Sequence, residues 1–264
     1  MQIISYSENL LVKRHRGTMP IILTAPHGGS ESPPNVEERS EKNGCDLKIK
    51  KDSKTDSITE GVAQTILQLT GLSPYVVLAR FHRKFIDANR ELKCAFTDSN
   101  AKVFYEEYHN RIAKYVSQVL EENDNRGFLF DLHGVNTKDF ERNNKPKADI
   151  YLGTNNSGTL QPSFKREDLF KTHGLHGLLK ASEHQTSSGG SNTVFKYTIY
   201  PADKSKTEEI LAGGFTVINS AKLGINCIQI ELANRIRSND EKRSFIIEDL
   251  AFAMINFVRR HAPF

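Results

Sequence analysis

Tryptophan is absent from this chain and cysteine nearly so, with three cysteines in 264 residues. So few thiols, none in a Cys-x-x-Cys spacing, exclude a disulfide-rich scaffold and a cysteine-built zinc module. An odd count also leaves one over in any pairing, so Cys45, Cys94 and Cys227 are expected to stay reduced. No basic stretch leads into an apolar run and a cleavage-like site, and no apolar run is long enough to span a bilayer. A soluble, cytoplasmic protein without membrane partners is the expectation. Charge of one sign is not in excess either: 36 Lys and Arg face 32 Asp and Glu, a net +4. The basic residues are interleaved with acids rather than blocked, which gives nucleic-acid binding no support. No repeat and no linker divides the chain, so residues 1–264 are expected to form a single domain large enough to bury a full core.

Short apolar runs bounded by turn residues are what the chain does have. The central one is Gly127-Phe128-Leu129-Phe130-Asp131-Leu132-His133-Gly134, which reads as a buried strand delivering Asp131 and His133 at its carboxyl end. A second strand over 20–26 ends on His27-Gly28-Gly29, and further strands are read at 75–81, 148–154 and 225–232. Between them lie helical patterns. One starts at Asp56 as N-cap and carries Val62, Ile66 and Leu69 before Gly71; another spans 101–122, and a third runs from 244 to 261. Strands alternating with helices indicate an α/β fold, whose ligands collect beyond the carboxyl ends of the strands. Residues 30–54 and 139–147 read as loops over that end, 185–192 as a Ser/Gly loop, and 215–218 as a strand.

His27 and His133, each leaving a buried strand beside glycine, suggest a metal site, because a catalytic zinc takes about three protein ligands and keeps one position open. The third ligand should be an acid near His27. Glu31 is nearest in sequence, while Asp52 and Asp56 stand across the loop. Asp56 is preferred, since a helix start following the first strand faces the same crevice, and Glu31 is second. Asp131, two residues before His133 on the same strand face, can receive an imidazole N–H. Glu231, alone in an apolar strand, must be paired or tuned: either an ion pair with Arg235 or Arg237, or a general base with a raised pKa. Arg83, Asp87, Asn89 and Arg90 place guanidinium forks and an amide just after a strand, a set that matches a carboxylate.

Taken in order, Pro26-His27-Gly28-Gly29, Asp56-Ser57-Ile58-Thr59, Arg83 through Asp87 to Asn89-Arg90, Asp131-Leu132-His133-Gly134 and Ile230-Glu231-Leu232 resemble N-formylglutamate amidohydrolases. More distantly they are similar to the zinc carboxypeptidase superfamily. The likeness covers about 20–237. It implies a three-layer α/β/α fold with a mixed, mostly parallel sheet, like the zinc exopeptidases (phosphorylase/hydrolase-like), and one Zn2+ per chain. It implies hydrolysis of the amide of an N-acyl acidic amino acid, a small carboxylate-bearing substrate. His27 and His133 match the zinc histidines, Glu231 the glutamate that activates water, and Asn89-Arg90 the pair that grips the substrate carboxylate. Arg83 and Asp87 match the Arg and Asp preceding that pair, Arg83 with a further part in catalysis. One departure stands out. The carboxypeptidase pattern His-x-x-Glu meets Ser30 here, while related poly-γ-glutamate hydrolases place the acid before a Thr-containing helix start, which resembles Asp56-x-x-Thr59. Two rival functions follow: a carboxypeptidase or γ-glutamyl peptide hydrolase using the same site, and a non-catalytic binding protein that has lost the metal.

Overall fold

The computed structural model describes residues 2–138, 140, 145–188 and 191–264. Its framework is an eight-stranded sheet. Strands β1 (Ser7–Asn9) and β2 (Val12–His15) form an edge hairpin, turned by Leu10 and Leu11 in the left-handed region. β3 (Ile21–Ala25), β4 (Tyr75–Ala79), β5 (Phe128–Val135) and β10 (Asn226–Ala233) are the four parallel central strands, in the order β4-β3-β5-β10. β6 (Ile150–Gly153) pairs antiparallel with β10 and carries β9 (Ile199–Tyr200) on the far edge. The expected α/β class and mixed, mostly parallel sheet are present.

Period-two alternation sorts the central strands onto two faces. Ile21 and Leu23, Phe128 and Phe130, and Ile228 and Ile230 point to one side. There they pack against α1 (Thr55–Thr70) and the C-terminal helix α7 (Asp240–His261), through Ile58, Val62, Leu250, Met254 and Phe257. Ile22, Val77, Leu129 and Cys227 point to the other side, against Phe104, Tyr108, Ile112 and Tyr115 of α3 (Lys102–Glu122) and Val217 of α5 (Phe215–Ala221). Burying each of these large side chains contributes about 1.5–3 kcal/mol. Layers on both faces make the α/β/α sandwich. Short helices complete it: α2 (Leu92–Ala95), α4 (Leu175–Ala181) and α6 (Asn234–Arg237).

Three local expectations are corrected. Residues 215–218 are helical, not a strand: a four-residue apolar run has no diagnostic period, and its neighbours through Ala221 continue the turn. The Ser/Gly segment 185–192 belongs to a hairpin, β7 (Glu183–Ser188) against β8 (Ser191–Lys196), because its alternating Thr and Ser residues pair across strands. Gly189 and Gly190 within it, and 139 and 141–144 of the loop expected over 139–147, lie outside the described residues. Helix α1 opens two residues early: its N-cap is Lys54, in the left-handed region, rather than Asp56, which falls in the first turn.

Cys45 and Cys94 are joined by a disulfide, leaving Cys227 free and buried, which overturns the expectation of three reduced thiols. Spacing alone concealed it: 49 residues separate the pair, and the loop 30–54 folds back to close the gap. Arg39 fastens the same loop, donating to the carbonyls of Lys48 (2.9 Å), Arg83 (3.3 Å) and Cys94 (3.3 Å). A cross-link of this loop size typically stabilises by about 2–4 kcal/mol. The double variant Cys45→Ser, Cys94→Ser is therefore expected to melt several degrees below the parent, as a thermal scan would show. Equal melting temperatures would mean that Arg39 and the loop's other bonds suffice. Among the described residues, no helix is long and apolar enough to cross a membrane.

Candidate metal and substrate site

Alternation also decides where the polar residues go. Asp131 and His133 of β5 share the face of Leu129, and in-register pairing sets Gln229 beside Asp131 and Glu231 beside His133 on β10. His27 leaves the end of β3, next to β5. The loop 30–54 returns to this point, and the Asp52 amide donates to the His27 carbonyl at 2.9 Å. His27, Asp52 and His133 each offer one ligand atom, and these atoms lie within 4.8 Å of one another. The ends of two neighbouring strands and one returning loop make the site.

Hydrogen bonds assign the tautomers. His27 Nε2 lies 2.6 Å from Asp87 Oδ1, and His133 Nε2 lies 2.8 Å from Asp131 Oδ2. Carboxylates accept, so both Nε2 atoms carry a proton, and in the neutral ring this leaves each Nδ1 with the lone pair that a metal ion takes. Those two Nδ1 atoms each stand 3.3 Å from the same oxygen, Asp52 Oδ2, which also accepts from the Gly134 amide at 3.0 Å. Asp131 is itself held by the Thr24 hydroxyl at 2.6 Å. Imidazole backed by carboxylate is how metal-ligating histidines are oriented.

The donor set fits zinc. Bonds of about 2.0–2.1 Å to a tetrahedral ion put its ligand atoms about 3.3–3.4 Å apart, which is the spacing from Asp52 Oδ2 to each Nδ1. The electrostatics fit as well. Burial alone pushes the Asp52 carboxyl up, but hydrogen bonds from His133 and His27 outweigh it and hold it well below the usual carboxylate range. For Asp87, too, burial is outweighed, by the charges of His27, Arg83 and Arg90. Burial disfavours a charged His133 ring, yet Asp131, Asp52 and Glu231 together raise its pKa well above the ordinary value. Four carboxylates around two imidazoles make a place for positive charge.

Glu231 is 8% exposed, and its pKa is raised, first by burial and then by Asp52. Gln229 Nε2 donates to its Oε1 at 3.0 Å. No ion pair joins it to Arg235 or Arg237 among the described residues; Arg235 clasps Asp149 instead. Arg83 spends Nε and Nη2 on Asp87 Oδ2 (2.9 and 2.8 Å) and holds Nη1 3.9 Å from Asp52 Oδ1. Asn89 Oδ1 accepts from the Thr216 amide at 2.8 Å, and its Nδ2 lies 3.4 Å from His133 Nε2. Arg90 reaches Asp46 of the loop at 3.3 Å, with its Nε lacking a hydrogen bond among the described residues.

The acids preferred from the sequence as third ligand stand elsewhere. Asp56 accepts from the Ser57 amide and pairs with Arg80 at 3.3 Å, and Glu31 pairs with the same Arg80 at 3.1 Å. Asp52 takes the place by the histidines. The physical reason is the helix start: Asp-x-x-Thr occurs twice in tandem, as Asp52–Thr55 and Asp56–Thr59, and α1 begins at Thr55. The earlier acid therefore precedes the helix and meets the crevice, with the Thr55 hydroxyl donating to its carbonyl at 2.8 Å. That repeat was the available signal. Removing the acid behind a ligand offers a test of the arrangement: Asp131→Ala is expected to weaken zinc binding about 10–100-fold, as competition with a chromogenic chelator would measure. Unchanged affinity would leave Asp131 a purely structural partner of Thr24.

The family model described as N-formylglutamate amidohydrolase matches residues 19–103. That segment holds His27, Asp52, Arg83, Asp87, Asn89 and Arg90; His133 and Glu231 follow it. The resemblance to this family read from the motifs is thus shown. A search of curated proteins gives no match. Among solved structures, N-formylglutamate amidohydrolase from Ralstonia eutropha JMP134 superposes with TM-score 0.59 at 17% identity, covering 92% of this chain and 95% of that one. A gene product from Agrobacterium tumefaciens superposes with TM-score 0.59 at 11% identity, covering 96% of each chain. At these identities the likeness is one of fold.

Proposed function

We propose that this chain is a zinc-dependent amidohydrolase that removes the acyl group from an N-acyl acidic amino acid of the N-formylglutamate kind. The observation that carries the reading is the meeting of His27 and His133 Nδ1 on Asp52 Oδ2, with Glu231 in register beside His133. His27, Asp52 and His133 would hold the zinc ion, which would supply a Lewis acid to polarise the scissile carbonyl and acidify the attacking water.

The chain's own groups do the rest. Glu231, bonded at Oε1 by Gln229, has Oε2 left to take the proton of the attacking water and return it to the leaving amine. Its pKa is raised, first by burial, which favours its holding that proton. Asp87 and Asp131 hold the imidazoles in the tautomer that leaves Nδ1 free. Arg83 Nη1, the donor not used on Asp87, faces the carbonyl oxygen as charge builds on it, a role worth about 3–4 kcal/mol where it has been measured. Arg90 and the Asn89 amide receive a substrate carboxylate. The returning loop buries both histidines, at 1% and 2% exposure, and this favours a small substrate over a long peptide.

Zinc content after chelation and repletion, combined with formate release from N-formylglutamate, tests the reading. One zinc per chain and formate release are expected. Cleavage of short γ-glutamyl peptides with N-formylglutamate untouched would move the assignment to a peptide hydrolase. Failure to take up zinc would leave a binding protein.

A further inference from the structure

The acid that meets the histidines arrives on a stretch with few ties to the body. Residues 32–54 run as turns and irregular chain between β3 and α1, and residues 40–51 are all exposed or half-buried, so apolar packing does little to hold them. Asp52, directly after, is buried. Among the described residues, 40–51 are fastened outward by the Cys45–Cys94 cross-link, the Lys42 ammonium on the Lys93 carbonyl (2.6 Å), the Arg39 bond to the Lys48 carbonyl and the Asp46–Arg90 pair (3.3 Å). Lys42 and Asp46 are exposed, and polar contacts in water stabilise little. A segment of this kind opens at low cost unless a covalent tie prevents it.

The other end of the cross-link also bears on the site. Cys94 lies on α2, whose Ala95 carbonyl accepts from the Asp87 amide at 2.8 Å, and the Asp87 carboxylate orients His27. Arg39 binds the Cys94 carbonyl from within the loop. The two sulfurs thus join the loop carrying one candidate ligand to the segment holding the partner of another. Both cysteines are half-buried, within reach of a reductant, whereas Cys227 is sealed in the core. Cys45 Sγ lies 3.9 Å from the Lys93 carbonyl that receives Lys42 Nζ, and an ammonium near a sulfur favours its departure as thiolate.

We infer that the Cys45–Cys94 bond is a redox switch on metal binding. Closed, it holds Asp52 at His27 and His133; opened, it frees residues 40–51 and loosens the metal with them. The inference rests on the reading of those three residues as the metal site. In the step, one thiolate of a dithiol attacks a sulfur of the pair, and the electrons of the S–S bond leave on the other sulfur. The reductant's second thiolate then displaces the first protein sulfur. The dithiol gives up two electrons and two protons and becomes a disulfide, and the protein gains two thiols. Linkage makes the effect reciprocal. A loop in the binding conformation only about a tenth of the time weakens the metal about tenfold, and bound metal opposes opening of the cross-link by the same factor.

The test compares oxidised protein, protein reduced by a water-soluble phosphine (dithiols chelate zinc themselves), reoxidised protein and the double variant Cys45→Ser, Cys94→Ser, all well below melting. Zinc affinity is read by chelator competition, and loop opening by brief trypsin digestion. Reduction is expected to lower zinc affinity at least about tenfold and to expose cleavage after Lys48, Lys50, Lys51 or Lys54; reoxidation should reverse the loss of affinity. The double variant should match the reduced state and ignore the phosphine, which separates loop release from zinc capture by the freed thiols. Equal zinc affinity in oxidised and reduced protein overturns the inference, whatever the melting temperatures. So does a loop that stays uncut after reduction. An oxidised protein that takes up no zinc would count against the metal reading itself, while cleavage confined to the reduced form would still show that the cross-link orders the loop.

Discussion

Glu231→Gln is expected to lower turnover by about 10²–10⁴-fold, the range over which a positioned proton carrier accelerates such reactions, while zinc content and fold stay intact. The amide keeps the volume of the carboxylate and can still accept from Gln229 Nε2 at Oε1. What it loses is the capacity to hold a proton at the second oxygen. Stability should be equal or slightly higher, because the parent carries a carboxylate whose burial already raises its pKa, the mark of an unfavourably placed charge. Kinetics on N-formylglutamate, with metal analysis and a thermal scan of the same preparation, would check all three. Turnover like the parent's would remove Glu231 from the proposed mechanism.

Asp52→Asn and Asp56→Asn form the second pair, and their contrast is the informative quantity. Asp52→Asn is expected to weaken zinc binding by more than the about 10–100-fold typical of an outer partner. It replaces the one oxygen that faces both Nδ1 atoms with a neutral, weaker donor. The Gly134 amide and the histidines would remain, so the fold should survive. Asp56→Asn should leave zinc affinity within about twofold. Its carboxylate faces Arg80 at the surface, and a partly exposed pair of that kind contributes about 0–1 kcal/mol. Chelator competition on both variants decides between the two acids, and a large effect confined to Asp56→Asn would reverse the ligand assignment.

Much of the frame was legible because it depends on neighbours in sequence. Runs such as 127–134 and 225–232 are apolar on both faces, as strands covered by helices on each side must be, and both were found within about two residues of their observed bounds. The 101–122 helix followed from its 3.6-residue apolar spacing. Shorter segments misled for lack of a period: the four residues at 215–218 fit a strand or a helix equally well until β10, β5 and α3 are placed against them. Arg237 was noticed only as a neighbour of Glu231. Nothing local distinguishes a guanidinium that finds a carboxylate, as Arg235 finds Asp149, from one that finds carbonyls.

By itself the chain determined that two histidines leave the ends of buried strands and that one acid sits on the face of the second. Strand alternation and strand ends are written in residues next to each other. Only the tertiary structure decided that Asp52 rather than Asp56 joins them, that Cys45 finds Cys94, and that Arg237 lies on Gly134. Each of these contacts closes a long loop or crosses between elements. Its outcome depends on how the loop ordered by Arg39 and Ser53 packs against the finished sheet, a competition among near-equal local candidates that packing alone resolves.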